Sequence, residues 1–381
     1  MIVGILKEPA SEARVSLMAE EVKKMIAQGI QVWVEKGAGV KAYCSDADYL
    51  KVGAVLKSRE ALVNGVAIIL GIQRMELPED LKNKILIGVY QPLYEVAVIE
   101  KWAGAGHTVF SMDMLPRTSR AQAMDVLSSQ SNVAGYGAFV IAASRYPRYV
   151  PMLMTAAGSV KPATLLVLGA GVAGLQAIAT GHRLGAVVEA FDTRPSVKEE
   201  VESLGARFIA VEGAQDASTA KGYGVEQTED FHQKQTAKIA ERMQKADIVI
   251  TTAQIFGKKA PILVTKAMIE TMLPGSVIVD LAAATGGNTE LTKDATELVT
   301  PNQVTIIGNS NIPALFPSDA SKLYGHNIAN FLRLITSDQG ELKLDFSDDL
   351  VSGTCMAKEG KIVNDRVRAL LSTSQKELIP Q

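Results

Sequence analysis

Residues 165–174 read LLVLGAGVAG, and this stretch decides the fold of the sequence around it. Four apolar residues run directly into three glycines spaced G-x-G-x-x-G, and a helix-forming segment follows. A second apolar run starts at residue 186 and ends close to Asp192, 18 residues after Gly174. A strand, a glycine-rich turn, a helix and a second strand in this order are typical of a dinucleotide-binding βαβ unit. The pattern therefore predicts nucleotide binding rather than a glycine-rich turn in an ordinary βαβ unit.

Each residue type has a physical task in such a turn. Gly169 permits the tight turn, Gly171 lets the backbone approach a pyrophosphate, and Gly174 lets the helix pack against the strand. The first N–H groups of the helix and its dipole favour a phosphate there. Asp192 stands where a carboxylate accepts hydrogen bonds from an adenosine ribose and repels a 2′-phosphate. The sequence thus predicts NAD(H), and nearby Arg194 keeps NADP(H) open as the alternative.

The bulk composition predicts a globular chain with two domains. Its 381 residues are too many for one ordinary core. With 47% hydrophobic residues, 21% charged residues and a net charge of −2, it has no general bias toward nucleic acid or an anionic membrane. Two cysteines far apart, Cys44 and Cys355, favour a reducing cytoplasm over a disulfide framework. No apolar stretch reaches the roughly 18 residues of a membrane span, so membrane contact is expected only through a partner.

Strands and helices alternate along most of the chain, which predicts parallel sheets. In the first third, strands are expected at 2–6, 31–35, 67–71, 85–89 and 108–111, with a helix at 16–28. Further strands are expected at 165–168, 187–191, 208–211, 248–251, 277–281 and 305–307. The helix at 318–335 and the tail are expected to return to the first domain. The predicted fold class is α/β, with two Rossmann-like doubly wound parallel-sheet domains and a cleft between them. The first domain is discontinuous (1–128 and 316–381), and 129–315 forms the second.

Two further stretches favour a binding function. Residues 212–224, EGAQDASTAKGYG, are too long for a routine βα loop, which favours a lid over a disordered surface excursion. Residues 116–136 are predicted to include a long helix over 121–144. One face of that helix carries short polar side chains, namely Gln122, Asp125, Ser128, Ser129, Asn132 and Tyr136. This face suits a wall lining a polar ligand, with a hydrogen-bonded domain junction as the alternative, and Ser119 with Gln122 fits a capping box.

Several kinds of catalytic site are not indicated. The four histidines have no metal-ligand spacing, and the sequence has no nucleophile elbow or Walker loop. Asp280 ends an apolar run and fits a structural cap as well as a site residue. Nothing in the sequence requires acid–base chemistry.

The combined motifs resemble the NAD(H)-binding domain I of proton-translocating transhydrogenase. The resemblance is carried by MLPRTSRAQAMDVLSSQSNVAGY, PMLMTAAGSVKPATLLVLGAGVAGLQAIATGHRLGA and GSVIVDLAAATGGN, and it runs from residue 7 to residue 355. It implies a subunit that passes a hydride between NADH and NADP(H) held on a partner. It also implies a homodimer bound to membrane-spanning transhydrogenase subunits at the cytoplasmic face of the membrane, whose partners translocate the protons.

The resemblance also implies roles for individual residues. Arg117, Gln122, Asp125 and Ser128 would position the dihydronicotinamide ring, with Gln122 reaching toward the partner's nucleotide. The adenosine and pyrophosphate end would be held by Val172, Asp192, Thr193 and Arg194. Gly222 and Tyr223 would form the lid, and Gln235 and Gln254 would complete the pocket. Gln254 departs from the family, which usually has leucine at this position.

Two other functions stay open at this point. Alanine dehydrogenase resembles the chain at Lys7, Glu8 and Arg14, but its reaction needs a proton-handling histidine and a substrate lysine. In the segments that align with those two residues, this chain has Gly71 and Val89. A non-catalytic NAD-binding regulatory subunit would use the same binding residues. Hydride transfer between two nicotinamides needs no base, because the protein has only to align two rings and exclude water.

Overall fold

The computed structural model describes residues 1–211, 228–337 and 339–377. The chain divides into two compact units. Unit 1 comprises Met1–Gln130 and Phe316–Gln381, and unit 2 comprises Ser131–Leu315. Each unit contains its own largely parallel sheet, with helices between successive strands along the chain. The predicted α/β, Rossmann-like fold class is confirmed.

Strand and helix bounds follow the apolar runs of the sequence closely. The strands are β1 Ile2–Ile5, β2 Gln31–Glu35, β3 Val55–Lys57, β4 Ile68–Leu70, β5 Ile85–Gly88, β6 Thr108–Ser111, β7 Leu153–Thr155, β8 Gly158–Val160, β9 Thr164–Leu168, β10 Val187–Phe191, β11 Arg207–Phe208, β12 Ile248–Thr251, β13 Val277–Asp280, β14 Thr296–Val299, β15 Thr305–Gly308, β16 Cys355–Lys358 and β17 Lys361–Ile362. The α-helices are α1 Ala19–Ala27, α2 Asp46–Lys51, α3 Arg59–Gly65, α4 Val96–Gly104, α5 Val126–Arg145, α6 Val172–Arg183, α7 Lys198–Ser203, α8 Glu229–Met243, α9 Lys266–Glu270, α10 Pro317–Leu334, α11 Asp349–Thr354 and α12 Asp365–Glu377.

The sheet of unit 1 has the order β17-β16-β6-β5-β4-β1-β2-β3. Its strands from β6 to β3 pair in parallel, whereas β16 pairs antiparallel with β6 and with β17. Every residue of β4 and β5 is buried. Burial on both faces is expected for central parallel strands, because helices cover the two faces of such a sheet.

The sheet of unit 2 has the order β11-β10-β9-β12-β13-β15-β14, and only β14 is antiparallel. The chain moves from β9 to β10 on one side, and β12 then pairs with β9 on the other side. The strand order therefore reverses at β9, and ligands of open α/β sheets bind beside the carboxyl end of such a strand. The glycine-rich turn follows this end of β9 directly.

The predicted helix over 121–144 is wrong at its start. Ser119–Met124 forms a 3-10 helix, and α5 begins only after Asp125, whose ψ of 91° is not helical. The Asp125 carboxylate accepts hydrogen bonds from the N–H and the hydroxyl of Ser128 at 3.0 and 2.6 Å. An aspartate that accepts from the third residue of a helix is an N-cap, so a new helix starts here.

Two further expectations fail with that helix. Ser119 and Gln122 form no capping box, because the position before the 3-10 helix is Thr118 and its side chain makes no capping hydrogen bond. Gln122 also lies outside α5, so the six polar side chains do not share one continuous helical face. The α-helical periodicity applies only from residue 126 onward.

The cysteines and the helices agree with the compositional expectations. Cys44 and Cys355 are both buried and free. Within residues 1–211, 228–337 and 339–377, no helix combines the length and the apolar character that crossing a membrane requires.

Candidate nucleotide-binding site

The turn after β9 has the backbone geometry that the three glycines predict. Gly169 has a φ of 107°, which favours glycine. A Cβ at Gly174 would lie 1.8 Å from the carbonyl oxygen of Gly169, so only glycine lets α6 pack this closely. At Gly171, among the described residues, no heavy atom lies within 4 Å of the Cβ position. The turn is thus packed at Gly174 and open at Gly171.

Helix α6 begins at this open position. Its N-cap residue is Gly171, which has no side chain to bond the first N–H groups of the helix, and its first residue Val172 is exposed. The first four N–H groups of a helix have no intrahelical partner, and together with the helix dipole they favour an anion. The residues present therefore fit the pyrophosphate of a dinucleotide.

Asp192 braces the turn from the end of β10. Its Oδ2 accepts a hydrogen bond from the N–H of Ala170 at 2.8 Å. The Arg194 side chain donates to both carboxylate oxygens at 2.9 Å, and its backbone N–H donates to Oδ1 at 2.9 Å. Hydrogen bonding to Asp192 raises the pKa of the Arg194 guanidinium. Four donors fill the lone pairs of this carboxylate, so a ribose hydroxyl would have to replace one of them.

The loop after β12 lies against the same turn. The Thr252 hydroxyl donates to the Gly169 carbonyl at 3.0 Å. The Asn288 amide clamps the next residue, Ala253, because its Oδ1 accepts from the Ala253 N–H at 3.0 Å and its Nδ2 donates to the Ala253 carbonyl at 2.8 Å. Gln254 follows directly, and its Nε2 donates to the Leu281 carbonyl at 3.2 Å. The sequence did not identify Thr252 or Asn288.

Asp280, at the end of β13, holds the segment that carries Asn288. Its buried carboxylate accepts from the N–H groups of Ala282 and Asn288 at 2.9 and 2.7 Å, and from the Thr292 hydroxyl at 2.7 Å. The N–H of Thr289 donates to it at 3.3 Å. Asp280 is therefore a structural anchor, which was one of its two expected roles.

The other predicted site residues lie in different parts of the chain. In unit 1, Arg117 and Gln122 are exposed, whereas Asp125 and Ser128 are half-buried and bonded to each other. In unit 2, the half-buried Thr193 lies between Asp192 and Arg194, and Gln235 is buried on α8. The predicted lid residues Gly222 and Tyr223 lie outside the described residues.

Part of the predicted polar face is used in packing. The Ser129 hydroxyl donates to Asn327 Oδ1 at 2.6 Å, and Asn132 donates to Gln176 Oε1 at 3.2 Å. One turn further along α5, a Cβ at Gly135 would lie 2.0 Å from the carbonyl oxygen of Ala173. For Ser129 and Asn132 the structure therefore favours hydrogen-bonded packing over a ligand-lining wall.

Arg14, the residue shared with alanine dehydrogenase, is held by a neighbouring acid. Its Nε and Nη2 donate to the two carboxylate oxygens of Glu12 at 2.8 and 2.6 Å, and its Nη1 donates to Gln130 at 2.7 Å. Both Arg14 and Glu12 are buried. The guanidinium edge that would bind a substrate carboxylate bidentately already binds Glu12.

Glu8 is a second buried acid in unit 1. Its carboxylate accepts from the N–H groups of Ile72 and Gln73 at 2.7 and 3.2 Å. Burial raises the pKa of Glu8 to about 7, although these two hydrogen bonds act in the opposite direction. Glu8 thereby fixes the segment after Gly71, where alanine dehydrogenase is expected to carry its lysine.

One group of side chains has the composition of a metal site without the spacing of one. Glu20, Glu21 and His326 offer ligand atoms within 4.8 Å of one another. His326 Nε2 lies 2.7 Å from Glu21 Oε1, and Lys24 Nζ lies 3.2 Å from Glu20 Oε1. Since Lys24 and Lys322 both lie beside these acids, the group is an ion-pair cluster.

Two family models match adjacent parts of the chain. The alanine dehydrogenase/PNT N-terminal domain matches residues 4–134, and the alanine dehydrogenase/PNT C-terminal domain matches residues 138–365. An NAD(P) transhydrogenase subunit alpha of Rhodospirillum rubrum, in which this chain is the first piece of a divided subunit, is 43% identical over 377 residues, covering 96% of this chain and 98% of the relative.

Solved structures agree with these matches. A transhydrogenase from Sinorhizobium meliloti superposes with a TM-score of 0.87 at 42% identity, covering 95% of this chain and 100% of that chain. An L-alanine dehydrogenase superposes with a TM-score of 0.81 at 23% identity, covering 98% and 99%, and so shares the fold. The glycine-rich turn, the two matched family models and these similarities lead to one conclusion: the chain belongs to the alanine dehydrogenase/PNT family.

Proposed function

We propose that this chain is the NAD(H)-binding subunit of a transhydrogenase, which passes a hydride between NADH and NADP(H) bound on a partner subunit. The observation that carries the proposal is the turn at Gly169–Gly174, which is open at Gly171 and braced by Asp192. The relative in Rhodospirillum rubrum is named as a transhydrogenase subunit, which supports the same function. When bound, NADH supplies the hydride, and the protein supplies binding and orientation.

The proposed division of labour follows the chemistry of the side chains. The N–H groups at the start of α6 bind the pyrophosphate, and Asp192, Thr193 and Arg194 hold the adenosine end. Arg117 and Asp125 hold the carboxamide of the ring, because a guanidinium donates and a carboxylate accepts. Ser128 keeps Asp125 oriented through their 2.6 Å hydrogen bond. Aligning the ring and excluding water is sufficient, since hydride transfer between nicotinamides leaves no group to protonate.

The less direct parts of the proposal rest on the family resemblance. Gln122 reaches toward the partner's nucleotide, and Val172, Gly222, Tyr223, Gln235 and Gln254 complete or close the pocket. The chain acts as a homodimer on membrane-spanning subunits at the cytoplasmic face of the membrane. Those subunits carry the proton translocation, which is coupled to the hydride transfer.

The occupied guanidinium of Arg14 supports transhydrogenation over alanine dehydrogenation. A keto acid would have to displace Glu12 from two charge-assisted hydrogen bonds, which are the stronger kind. Gly71 and Val89 also lack side chains that move a proton. Both observations remove groups that an imine reduction needs, while hydride transfer between two nicotinamides needs neither.

Deuterium transfer tests the function directly. The full chain is mixed with the NADP(H)-binding subunit of a transhydrogenase, deuterated NADH and NADP⁺, and label in NADPH is measured by mass spectrometry. We expect label transfer that depends on both subunits. In a parallel assay with pyruvate and ammonia, we expect no oxidation of NADH. A robust rate in that second assay would favour alanine dehydrogenase, and NADH binding without either reaction would favour a regulatory subunit.

Cofactor preference tests the role of Asp192. We expect the chain to bind NADH at least about tenfold more tightly than NADPH, because a carboxylate beside a 2′-phosphate is strongly unfavourable. The Asp192→Asn variant should narrow that difference in calorimetric titrations. Glu199→Gln, an exposed change on α7 that removes the same charge, is the matched control and should retain the preference. Equal affinities of the unchanged protein for the two nucleotides would contradict the assignment.

A further inference from the structure

The break at Asp125 divides the segment proposed to hold the nicotinamide ring. Gln122 lies in the 3-10 helix before the break, and Ser128 lies in α5 after it. We infer that Asn327, on α10, is a positioning residue for hydride transfer that fixes these two parts relative to each other. This inference rests on the proposed function, because that function gives the segment its task.

One side chain bonds to both sides of the break. Asn327 Nδ2 donates to the carbonyl oxygen of Ala123 at 2.9 Å, and Asn327 Oδ1 accepts from the hydroxyl of Ser129 at 2.6 Å. The carbonyl of Ala123 can only accept, so it determines which end of the amide faces it. Asn327 is buried, with 7% of its surface exposed. A buried amide with both ends bonded holds its partners at fixed positions.

The local hydrogen bonds of the segment do not provide this link. The Asp125 carboxylate bonds to Ser128, which lies in the same helix that Asp125 caps. Short 3-10 helices have poorer hydrogen-bond geometry than α-helices, so the turn that carries Gln122 needs support from outside. Asn330 also donates to the Ala123 carbonyl, at 3.0 Å, but it is only half-buried and this bond reaches the turn before the break. Asn327 is the residue that bonds on both sides.

Helix α10 is a rigid support for this amide. Tyr324, Ile328 and Phe331 surround Asn327 in sequence on α10, and all three are fully buried in the core of unit 1. The Tyr324 hydroxyl also donates to the carbonyl of Gly71 at 2.8 Å. Because the core fixes α10, the position of Asn327 is set independently of the segment it bonds.

The test separates alignment of the ring from binding of the nucleotide. In the full chain with its NADP(H)-binding partner, Asn327→Ala is expected to lower the rate of hydride transfer about 10- to 100-fold, since small misplacements in such reactions have effects of this size. The Kd for NADH should change less than about threefold, because only the transition-state geometry is lost. The primary deuterium isotope effect should rise as the hydride step becomes rate-limiting.

Three further variants identify the link. Asn330→Ala removes a bond on one side of the break only and is expected to transfer hydride at close to the normal rate. Asn327→Asp keeps the acceptor for Ser129 but presents an oxygen to the Ala123 carbonyl, so it should be as slow as Asn327→Ala. Ser129→Ala should slow transfer as well, and combining it with Asn327→Ala should add little, because both changes break the same link.

Each outcome has one meaning. If the unchanged protein transfers no hydride, the proposed function fails, whatever the variants do. If the unchanged protein is active and Asn327→Ala stays within about twofold of its rate, the inference is wrong. Loss of NADH binding in a folded Asn327→Ala variant would also contradict it. If that variant does not fold, Ser129→Ala decides, since a normal rate and isotope effect there would overturn the inference.

Discussion

Replacing Gly174 by alanine is expected to destabilise unit 2 by about 3 kcal/mol or more and to abolish NADH binding. The added Cβ would lie 1.8 Å from the carbonyl oxygen and 2.9 Å from the carbonyl carbon of Gly169. Both atoms belong to the backbone, so no side chain can rotate to relieve the overlap. The start of α6 and the turn would have to separate, and the N–H groups proposed to bind the pyrophosphate would separate with them.

Gly171→Ala is the matched control for this prediction. Gly171 has an ordinary φ of −78°, and its Cβ position is open among the described residues, so the stability should not change. Its NADH affinity should still fall about tenfold or more, because the methyl group occupies the approach to the turn. Far-UV circular dichroism during urea unfolding and calorimetric titration with NADH measure the two effects. Tryptophan fluorescence is unsuitable, since Trp33 and Trp102 both lie in unit 1. Normal NADH binding by Gly171→Ala would contradict a pyrophosphate at this position.

The Asp280→Ala substitution is expected to lower the free energy of unfolding by about 4 kcal/mol. It removes the acceptor of three backbone N–H groups and of the Thr292 hydroxyl in a buried position. Buried donors without partners each have a cost of about 1–3 kcal/mol, of which relaxation recovers a part. We also expect weaker NADH binding, because Asn288 depends on Asp280 and clamps Ala253 beside the glycine-rich turn.

Asp294→Ala tests whether this effect is specific to the buried acid. Asp294 is exposed, and its carboxylate accepts from the N–H of Ser310 at 3.3 Å, so its loss should change the unfolding free energy by less than about 0.5 kcal/mol. Urea unfolding and NADH titration of both variants give the comparison. Similar stabilities of the two variants would show that Asp280 is not the anchor described above.

Much of the fold was predictable because its strands are buried on both faces. The predicted ranges 31–35, 108–111, 187–191 and 248–251 match the observed strands residue for residue. The error at 121–144 arose because helix-forming residues continue through Asp125, and a 3-10 helix has nearly the same local composition as an α-helix. The pair Asp125 and Ser128 was a usable signal, since its spacing is that of an N-cap and the third residue of a helix.

The candidate site was predictable where it is local. The three glycines and Asp192 lie within one βαβ unit, and their spacing alone indicates the turn. Asn288 bonds to Ala253, 35 residues earlier, and Asn327 bonds to Ala123, 204 residues earlier. No spacing rule connects residues so far apart, because the fold rather than the local chain brings them together. The pairing of Arg14 with Glu12 is local, but which acid occupies a guanidinium depends on burial.

The strand β16 has a consequence for the order in which the chain folds. Cys355 of β16 lies opposite Phe110 of β6, so this pairing cannot form before almost all of the chain has been synthesised. Unit 2 is continuous and has every strand of its sheet once residue 308 has emerged, and nascent domains fold in that order. Until β16 arrives, β6 is an open sheet edge, which is a site of aggregation. The last segment to be made therefore protects the first sheet that was begun.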